Sequence, residues 1–531
     1  MDPVGARSAL RAGRWREAAT GFAALTAGDA TAEDHEGLAQ AAWWLDDAEL
    51  ALSAREAAYR SYRTSGDVRG AARAAAALAH DSVLFGAGVA VGRGWLARAT
   101  DLLGGRTDVP EAGWLAVRRA ELALALDHDP DAALDAATTA QQIGTRTADG
   151  DLVVVAQALA GLARVGRGEV TAGMELLDAA SAAATAGDVE DLMWMGKVCC
   201  WLITACQEAH DLDRAREWCV RVAEICERRD LEPLFLVCRT RYASVLLAQG
   251  EISEAEASLT RVLDRLEHSR RETRDEAVRL LGELRRRQGR LAEAEMLLQQ
   301  ASSYPGAMTG LAQVRLAAGD ADGAWSIISE LLRAPGHPWE KVDVLAVAVA
   351  AGIAAGHHDE AREAAARLRA LAATVGTDFL RGTSAAAEAR LCEPVEALPH
   401  QQAAVRHLHD ARLPLDEAEC RLDLAETLLA LGDTSAARRH AAAALTTLET
   451  LQSGPALDRA RAILGARSDP LTPRQSEVLR LLARGLTNAE IAVALQLSEH
   501  TVHRHVANIY LTLGLRSRAA AATYAAGRGL R

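Results

Sequence analysis

Side chains that can hydrogen-bond to nucleic-acid bases recur at helical spacing near the end of the chain. In a predicted helix over residues 499–513, His500, His503, Arg504 and Asn508 fall on one polar stripe together with Glu499 and Ala507. An arginine guanidinium can donate two hydrogen bonds to guanine, and an asparagine carboxamide can pair with adenine. The spacing therefore predicts a helix that reads bases in the DNA major groove. Arg504 is the predicted guanine contact, Asn508 the predicted adenine contact and His503 a weaker donor.

A second group of polar residues flanks this stripe and is better placed for phosphate oxygens than for bases. Ser498, Thr501 and His505 lie at the start and along the side of the same predicted helix, and Thr487 starts the helix before it. Free backbone N–H groups at helix N-termini also favour phosphate. The complete set of predicted DNA contacts is Thr487, Asn488, Ser498, Glu499, His500, Thr501, His503, Arg504, His505 and Asn508.

Local signals define the helices that hold these side chains. Thr472 and Thr487 each stand three residues before a Gln or Glu, which is the spacing of a capping box. Gly485 is predicted to end the first helix, and Ser498 to start a third helix after a short turn. The apolar residues predicted to form the core are Val478, Leu479, Leu482, Ile491, Leu495, Val502, Val506, Ile509 and Leu513. A short helix, a tight turn and a longer helix with a polar face are typical of a helix-turn-helix.

Four segments near the C-terminus read L-T-P-R-Q-S-E-V-L, G-L-T-N-A-E-I-A, L-S-E-H-T-V and L-G-L-R-S-R-A-A-A. Through them residues 471–528 resemble the LuxR-type DNA-binding domain. The resemblance implies four helices: a support helix, a scaffold helix 488–495, a recognition helix 499–513 and a dimerising helix from Arg518 onward. It also implies a dimer that binds inverted repeats in double-stranded DNA and acts on transcription, as in LuxR-type regulators common in actinobacteria.

The sequence departs from that family at three positions. Leu511 and Thr512 stand where its members often carry basic residues, and His503 stands where lysine is frequent. Fewer fixed charges predict a shallower salt dependence of DNA binding and a greater reliance on dimerisation.

Residues 1–465 contain an imperfect internal repeat. A glycine is followed five residues later by a small residue, and the copies are about 40 residues apart in the middle of the region. The pairs are Gly13/Ala18, Gly250/Ala255, Gly289/Ala294, Gly319/Ala324, Gly356/Ala361 and Gly432/Ala437, and His128/Ala133, Gly168/Gly173 and His210/Ala215 fit with one substitution. The glycine can end one helix, and the small residue allows the next helix to pack closely. The pattern therefore predicts stacked helical hairpins.

The segments 250–256 and 289–295 resemble the start of the second helix of a tetratricopeptide repeat. The predicted fold is thus all-α: an α-solenoid of tetratricopeptide-like helical hairpins over residues 1–465, a linker over 466–470 and a four-helix LuxR-type helix-turn-helix domain over 471–531. A generic α-solenoid is the alternative for the first region. Such arrays have a concave surface, which predicts a sensor or partner-binding role.

Charge and composition narrow the classes of function. The net charge is −13 over 531 residues, but residues 469–531 carry eight arginines against four carboxylates, or +4, which leaves −17 on residues 1–468. Nucleic acid is therefore expected at one end only. Lys197 and Lys341 are the only lysines, and neither stands in a phosphate-binding G-x-x-x-x-G-K-[ST] motif.

No motif assembles a nucleophile with its base, a carboxylate pair or a metal-ligand set, so we expect neither an enzyme nor a cofactor. The first fifteen residues lack an apolar signal core, and the longest uncharged apolar stretch, 344–356, is too short to span a bilayer. Eight scattered cysteines do not form the dense framework of a small secreted domain. These features predict a cytoplasmic protein without membrane association.

Four cysteines lie on the two sides of a predicted turn. Cys199 and Cys206 precede it and Cys219 and Cys226 follow it, so an antiparallel hairpin would set Cys199 opposite Cys226 and Cys206 opposite Cys219. Seven helical residues rise about 10.5 Å, so the four thiols cannot share one tetrahedral metal ion. Core packing of reduced cysteines is the simpler interpretation, and a redox or metal sensor is the alternative. The neighbouring cysteines are Cys200 and Cys238.

Two functions from different classes are compatible with these features. The first is a sequence-specific transcriptional regulator whose repeat array controls a dimeric DNA-binding end, with RNA polymerase or another protein as a further partner. The second is a peptide- or protein-binding scaffold whose C-terminal domain mainly dimerises. The intact recognition-helix pattern and the confined positive charge favour the first, and the missing basic residues at Leu511 and Thr512 favour the second.

Overall fold

The computed structural model describes residues 3–28, 30–209, 211–229, 231–267, 272–302, 304–334, 341–452, 454–465, 471, 473–515 and 517–527. Within these ranges all regular secondary structure is helical, which confirms the all-α prediction. The predicted cap at Thr472 and the predicted linker 466–470 lie outside the described residues.

The helices before residue 466 are short and follow one another with brief turns. They are α1 Pro3–Arg11, α2 Trp15–Thr26, α3 Ala32–Trp44, α4 Ala48–Ser65, α5 Val68–Leu84, α6 Val89–Leu103, α7 Pro110–Leu122, α8 Pro130–Thr147, α9 Gly150–Gly166, α10 Val170–Ala186, α11 Leu192–Ala209, α12 Leu212–Arg229 and α13 Glu232–Ala248. They continue with α14 Ile252–Arg265, α15 Glu272–Arg287, α16 Leu291–Gln300, α17 Pro305–Ala317, α18 Ala321–Arg333, α19 Val342–Ala355, α20 His358–Val375, α21 Asp378–Ala389, α22 Pro394–Asp410, α23 Pro414–Ala430, α24 Thr434–Leu448 and α25 Pro455–Gly465. A π-helical segment, Ala123–Asp127, extends α7, and a 3-10 turn, Glu449–Leu451, follows α24.

The C-terminal helices are α26 Pro473–Ala483, α27 Asn488–Ala494, α28 Glu499–Leu513 and α29 Arg518–Gly527. Their buried side chains form a hydrophobic core of their own. The four helices implied by the LuxR resemblance are thus present, with the scaffold helix one residue shorter than expected because Leu495 is its C-cap.

Consecutive helices of α1–α25 pack against each other and form a series of hairpins. Odd-numbered helices also contact the next odd-numbered helix, as α5 does with α7, α7 with α9, α11 with α13 and α15 with α17. Odd-numbered helices supply most of the lining of the two large cavities described below. They therefore form the inner layer of a solenoid and the even-numbered helices its outer layer.

The predicted pairs of a glycine and a small residue five positions later mark the junctions between hairpins. All six predicted junction glycines have a left-handed backbone, with φ between 75° and 87°, and every alanine five residues later is fully buried. His128 takes the same left-handed backbone, with φ 50°, while His210 lies outside the described residues. Gly173 shows why the second position is small. A Cβ there would lie 2.6 Å from the Gly161 carbonyl oxygen, so α9 and α10 touch through their backbones.

The solenoid turns back on itself, so that hairpins far apart in sequence become neighbours. One hydrophobic core joins α13–α15, through residues such as Leu246, with α23–α25, through residues such as Leu422. The Arg287 guanidinium reaches the Asp416 carboxylate at 2.8 Å. A Cβ on Gly454 would lie 2.2 Å from the Arg287 carbonyl oxygen, so the loop before α25 fits tightly against the end of α15. The cavity inside this closure has a volume of about 980 Å³.

A second cavity, of about 1000 Å³, lies among the inner helices of the N-terminal half. A largely buried ionic network joins α5, α7 and α11, and its Arg118 lines this cavity. The Lys197 ammonium lies 2.7 Å from His80 Nε2 and forms an ion pair with Glu121, which also accepts a hydrogen bond from Arg118 at 2.6 Å. The Asp81 carboxylate is buried beside His80. Burial, together with the nearby Lys197 and Arg118 charges, lowers the pKa of His80 to about 4.

Across the described residues we find no helix with the length and apolar character needed to cross a membrane.

Candidate nucleic-acid interface

The N-terminus of α27 is fixed by the capping box that the sequence predicts. The Thr487 hydroxyl accepts a hydrogen bond from the Glu490 backbone N–H, and the Glu490 carboxylate accepts one from the Thr487 backbone N–H at 2.7 Å. The hydrogen bonds from Thr487 lower the pKa of Glu490. The capping box thus fixes where α27 begins.

A tight turn separates α27 from α28. Gln496 has a left-handed backbone with φ 53°, and Ser498 then caps α28 by accepting a hydrogen bond from the Thr501 N–H at 3.1 Å. The Ser498 and Thr501 hydroxyls also lie 2.7 Å apart. The Arg474 side chain of α26 donates to the Leu495 carbonyl at 2.5 Å and so ties the support helix to this turn.

One face of α28 is buried in the domain core. The predicted core residues Val478, Leu479, Leu482, Ile491, Val502, Val506 and Ile509 are buried, and Leu495 and Leu513 are partly buried. The burial of Val502, Val506 and Ile509, at spacings of four and three residues, fixes the rotation of α28 about its own axis.

The opposite face of α28 is exposed and polar. His500, His503, Arg504 and Asn508 are exposed there, as are Glu499 and Ala507. Within the part of the chain that the structure describes, no hydrogen bond or ion pair engages the Arg504 guanidinium. Its donors can therefore meet an external acceptor without breaking an internal contact, as direct readout of a base requires.

The predicted phosphate contacts lie around the rim of this face. Thr487 and Ser498 are exposed, and Thr501 and His505 are half-buried. Asn488 is already engaged, because its side-chain carbonyl accepts a hydrogen bond from Arg518 at 3.3 Å. This contact joins the start of α29 to the start of α27.

Sequence reasoning missed the positioning roles of Arg474 and Arg518. No short sequence pattern marks these roles, because each arginine contacts a residue beyond its own helix.

The exposed surface of the domain also includes two large apolar side chains, Val493 and Leu511, which are 81% and 83% exposed. Leu511 is one of the positions where the resemblance led us to expect a basic residue.

The luxR family of bacterial regulatory proteins matches residues 469–525. These residues are a luxR-family helix-turn-helix domain. The match includes α26, α27 and α28 and most of α29, so the exposed face of α28 belongs to the matched luxR-family domain.

Three relatives illustrate the extent of the similarity. The nitrate/nitrite response regulator protein NarP of Escherichia coli is 47% identical over 66 residues, 12% of this chain and 31% of NarP. The transcriptional regulatory protein LnrK of Bacillus subtilis is 47% identical over 60 residues, 11% of this chain and 27% of LnrK. The transcriptional regulatory protein MctR of Rhizobium johnstonii is 37% identical over 73 residues, 13% of this chain and 34% of MctR. The chain thus spans about a third of the length of these relatives.

Among solved structures, the APC/C hetero-tetramer Cut9–Hcn1 aligns with 87% of this chain and 93% of its own, with a TM-score of 0.44 and 14% identity. The packing of consecutive and alternate helices in this chain is itself the evidence for its solenoid architecture.

The four cysteines proposed as redox thiols are all buried. Cys199 and Cys226 are near enough to interact, as are Cys206 and Cys219, which agrees with the antiparallel geometry. Burial raises the pKa of Cys199 and Cys206, and that of Cys219 to about 12. These three thiols therefore stay protonated and are suited to core packing.

Proposed function

We propose that the protein is a sequence-specific DNA-binding transcriptional regulator that binds inverted-repeat sites as a dimer and is controlled through its helical repeat region. The observation that carries the proposal is the exposed stripe of α28. Its arginine, asparagine and histidine side chains project from a helix whose rotation is fixed by a buried core and whose start is fixed by a cap. This is the arrangement that a major-groove reader needs.

The proposed division is a repeat region over residues 1–465, a linker over 466–470 and the DNA-binding domain over 471–531. Two observations support a sensing or partner-binding role for the repeat region. Its inner helices line two cavities of about 980 and 1000 Å³, and each cavity mixes charged with apolar side chains. Residues 1–468 also carry the −17 charge, which disfavours DNA as their ligand.

The partners in this proposal are double-stranded DNA, a second copy of the chain, and RNA polymerase or another protein that the array contacts. Such a regulator acts on the chromosome and therefore in the cytoplasm. It carries out no reaction and needs no cofactor.

The decisive experiment is selection of binding sites from a random DNA pool at fixed salt, with the full-length protein and residues 466–531 in parallel. Enrichment of one inverted repeat by the fragment alone supports control by the array. Enrichment of the same repeat by both supports DNA binding without a signal and points to partner recruitment by the array. No enrichment by either protein refutes the proposal.

A second candidate is a scaffold protein whose C-terminal domain mainly dimerises. The observation in its favour is that Leu511, 83% exposed, replaces a basic residue on the face that would meet DNA. A dimer of residues 466–531 in sedimentation, together with no sequence enrichment, is the result that this candidate predicts.

A further inference from the structure

The cavity inside the closure of the solenoid combines an apolar wall with a charged one. Its volume of about 980 Å³ lies near the upper end of the range for small-molecule sites. Helices α17, α19 and α21 supply much of the apolar lining, with Leu316 on α17, Val344 and Val347 on α19 and Phe379 on α21. The charged side chains come mainly from α15 and α23, where the two parts of the solenoid meet. The cavity therefore suits a ligand with an apolar body and a charged end.

One arginine of the charged wall has no carboxylate partner. Of the five arginines among the described lining residues, four form ion pairs: Arg286 and Arg287 with Glu283, and Arg390 and Arg459 with Asp423. Arg279 of α15 is the exception. Within the described ranges no hydrogen bond or ion pair engages its guanidinium, and its Nε is buried without a hydrogen-bond acceptor. Because a buried donor without an acceptor is costly, Arg279 favours an acceptor from outside the chain.

The surroundings of Arg279 hold its side chain in place and add to its positive charge. The guanidinium carbon lies 5.7 Å from the centre of the Tyr304 ring. The side chain lies against Gly306, in the first turn of α17, where a Cβ would come within 3.0 Å of the Arg279 Cδ. Since α17 begins at Pro305, the partial positive charge of its N-terminus lies close to the arginine. An anion bound beside Arg279 would be stabilised by both positive charges.

One face of α17 leads from Arg279 along the cavity. The residues of this face that line the cavity recur at spacings of one to four residues, and they are Gly306, Thr309, Gly310, Gln313 and Leu316. The ten residues from the first to the last of them rise about 15 Å. Helix α17 also packs against α19, which carries Val344 and Val347. A ligand whose anionic group meets Arg279 can therefore lay an apolar body along α17 and against α19.

We propose that this cavity binds an amphipathic organic anion, with a carboxylate or phosphate group at Arg279 and a hydrocarbon chain along α17. The unpaired arginine selects the negative head group, and the apolar lining favours a hydrocarbon body. The charge of −17 on residues 1–468 opposes any general attraction of anions, so binding depends on this local site. A role of the anion as the signal that controls DNA binding rests on the proposed function, whereas the binding itself does not.

The test measures the binding of four probes with closely similar hydrocarbon chains to the full-length protein. The probes are dodecanoate, dodecyl phosphate, dodecanol and dodecylamine, each titrated in a calorimeter below the concentration at which it forms micelles. At least one anion should bind with a stoichiometry near one and about tenfold or more tightly than the alcohol, because a charge-assisted hydrogen bond is gained. The amine should bind more weakly than the alcohol. The tighter of the two anions identifies the head group as carboxylate or phosphate.

Substitutions at Arg279 separate the head-group contact from the apolar contact. Arg279→Gln should lower the affinity for the anion about tenfold or more and leave that for dodecanol unchanged. Arg279→Lys keeps the charge but loses the planar pair of donors, so its affinity should be intermediate. The matched control is Arg261→Gln, since Arg261 is exposed on the outer helix α14. This variant should bind the anion as the unmutated protein does.

Three results would overturn the proposal: no binding of either anion, an affinity for the alcohol or the amine that equals or exceeds that for both anions, or unchanged anion binding by Arg279→Gln. The comparison of probes on the unmutated protein decides the point even where a variant fails to fold. Because the calorimetry contains no DNA, its outcome is separate from that of the site-selection experiment, and either proposal can fail without the other.

Discussion

The buried histidine of the ionic network should make the stability of the repeat region depend on pH. His80 is enclosed by α5, α7 and α11 and lies 2.7 Å from the Lys197 ammonium. Its pKa in the folded protein is about 4, against 6.5 for an ordinary histidine. Protonation of His80 would place a third positive charge beside Lys197 and Arg118 in a largely buried setting, so the folded state excludes the proton that the unfolded state accepts.

The two pKa values of His80, folded and unfolded, give the direction and the size of the change in unfolding free energy with pH. Between pH 6.5 and about 4 the unfolded chain binds a proton at His80 and the folded chain does not, so the free energy of unfolding falls as the pH is lowered. Each pH unit inside this window costs about 1.4 kcal/mol. The loss from His80 should therefore reach about 2 to 3 kcal/mol by pH 4.5. The lowered pKa of Glu121, about 2, adds its own loss mainly at still lower pH.

The substitution that tests this is His80→Gln. A carboxamide can accept a hydrogen bond from Lys197 and donate one to Asp81, but it does not titrate. Urea denaturation would be measured for both proteins between about pH 7 and pH 4.5. Tryptophan fluorescence can follow the unfolding, and two of the ten tryptophans, Trp194 and Trp201, have ring centres 5.4 and 5.9 Å from the Lys197 ammonium. The variant should lose less stability across this range than the unmutated protein.

The matched control is His358→Gln, since His358 is exposed at the surface of the repeat region. This variant should keep the pH dependence of the unmutated protein. Parallel pH profiles for the unmutated protein and His80→Gln would refute the reasoning, and so would a profile for His80→Gln that is steeper.

Three further outcomes are expected. Arg504→Ala should weaken binding to the selected DNA site by about 1–3 kcal/mol in a gel-shift titration, whereas Arg480→Ala, which removes the same charge from α26, should reduce specific and random DNA binding alike. Thr487→Ala should destabilise residues 466–531 by about 1 kcal/mol in thermal denaturation, because the capping box is lost. Gly173→Ala should destabilise the repeat region by about 1–3 kcal/mol, since its methyl group would lie 2.6 Å from a carbonyl oxygen of α9. Gly150→Ala, where a Cβ meets nothing within 4 Å, should leave the urea midpoint unchanged or higher.

The C-terminal site was largely predictable because its determinants are local. The capping box at Thr487, the cap at Ser498 and the spacing of Val502, Val506 and Ile509 together specify which face of α28 is exposed. Arg518 was not predictable as a positioning residue. Its contact with Asn488 spans thirty positions and depends on how α29 packs.

In the repeat region, too, features set by neighbouring residues were predictable and contacts between distant segments were not. The spacing of the glycines and alanines predicted the hairpin junctions. A tight turn between two helices needs a residue with a left-handed backbone and, five positions later, a small residue where the helices pack closely. The spacing of the cysteines also set Cys199 opposite Cys226 and Cys206 opposite Cys219, and these pairs are neighbours because α11 and α12 pack as a hairpin.

The sequence by itself determined the helices, their ends and the polar stripe of α28, because capping, helical periodicity and glycine conformation act over a few residues. Only the tertiary structure decided that α13–α15 meet α23–α25, that Arg287 pairs with Asp416, and that Lys197 is buried against His80 and Glu121. These contacts depend on the rotation from each hairpin to the next, summed over many hairpins. A small change in that rotation would separate them, and no short segment of the sequence encodes the sum.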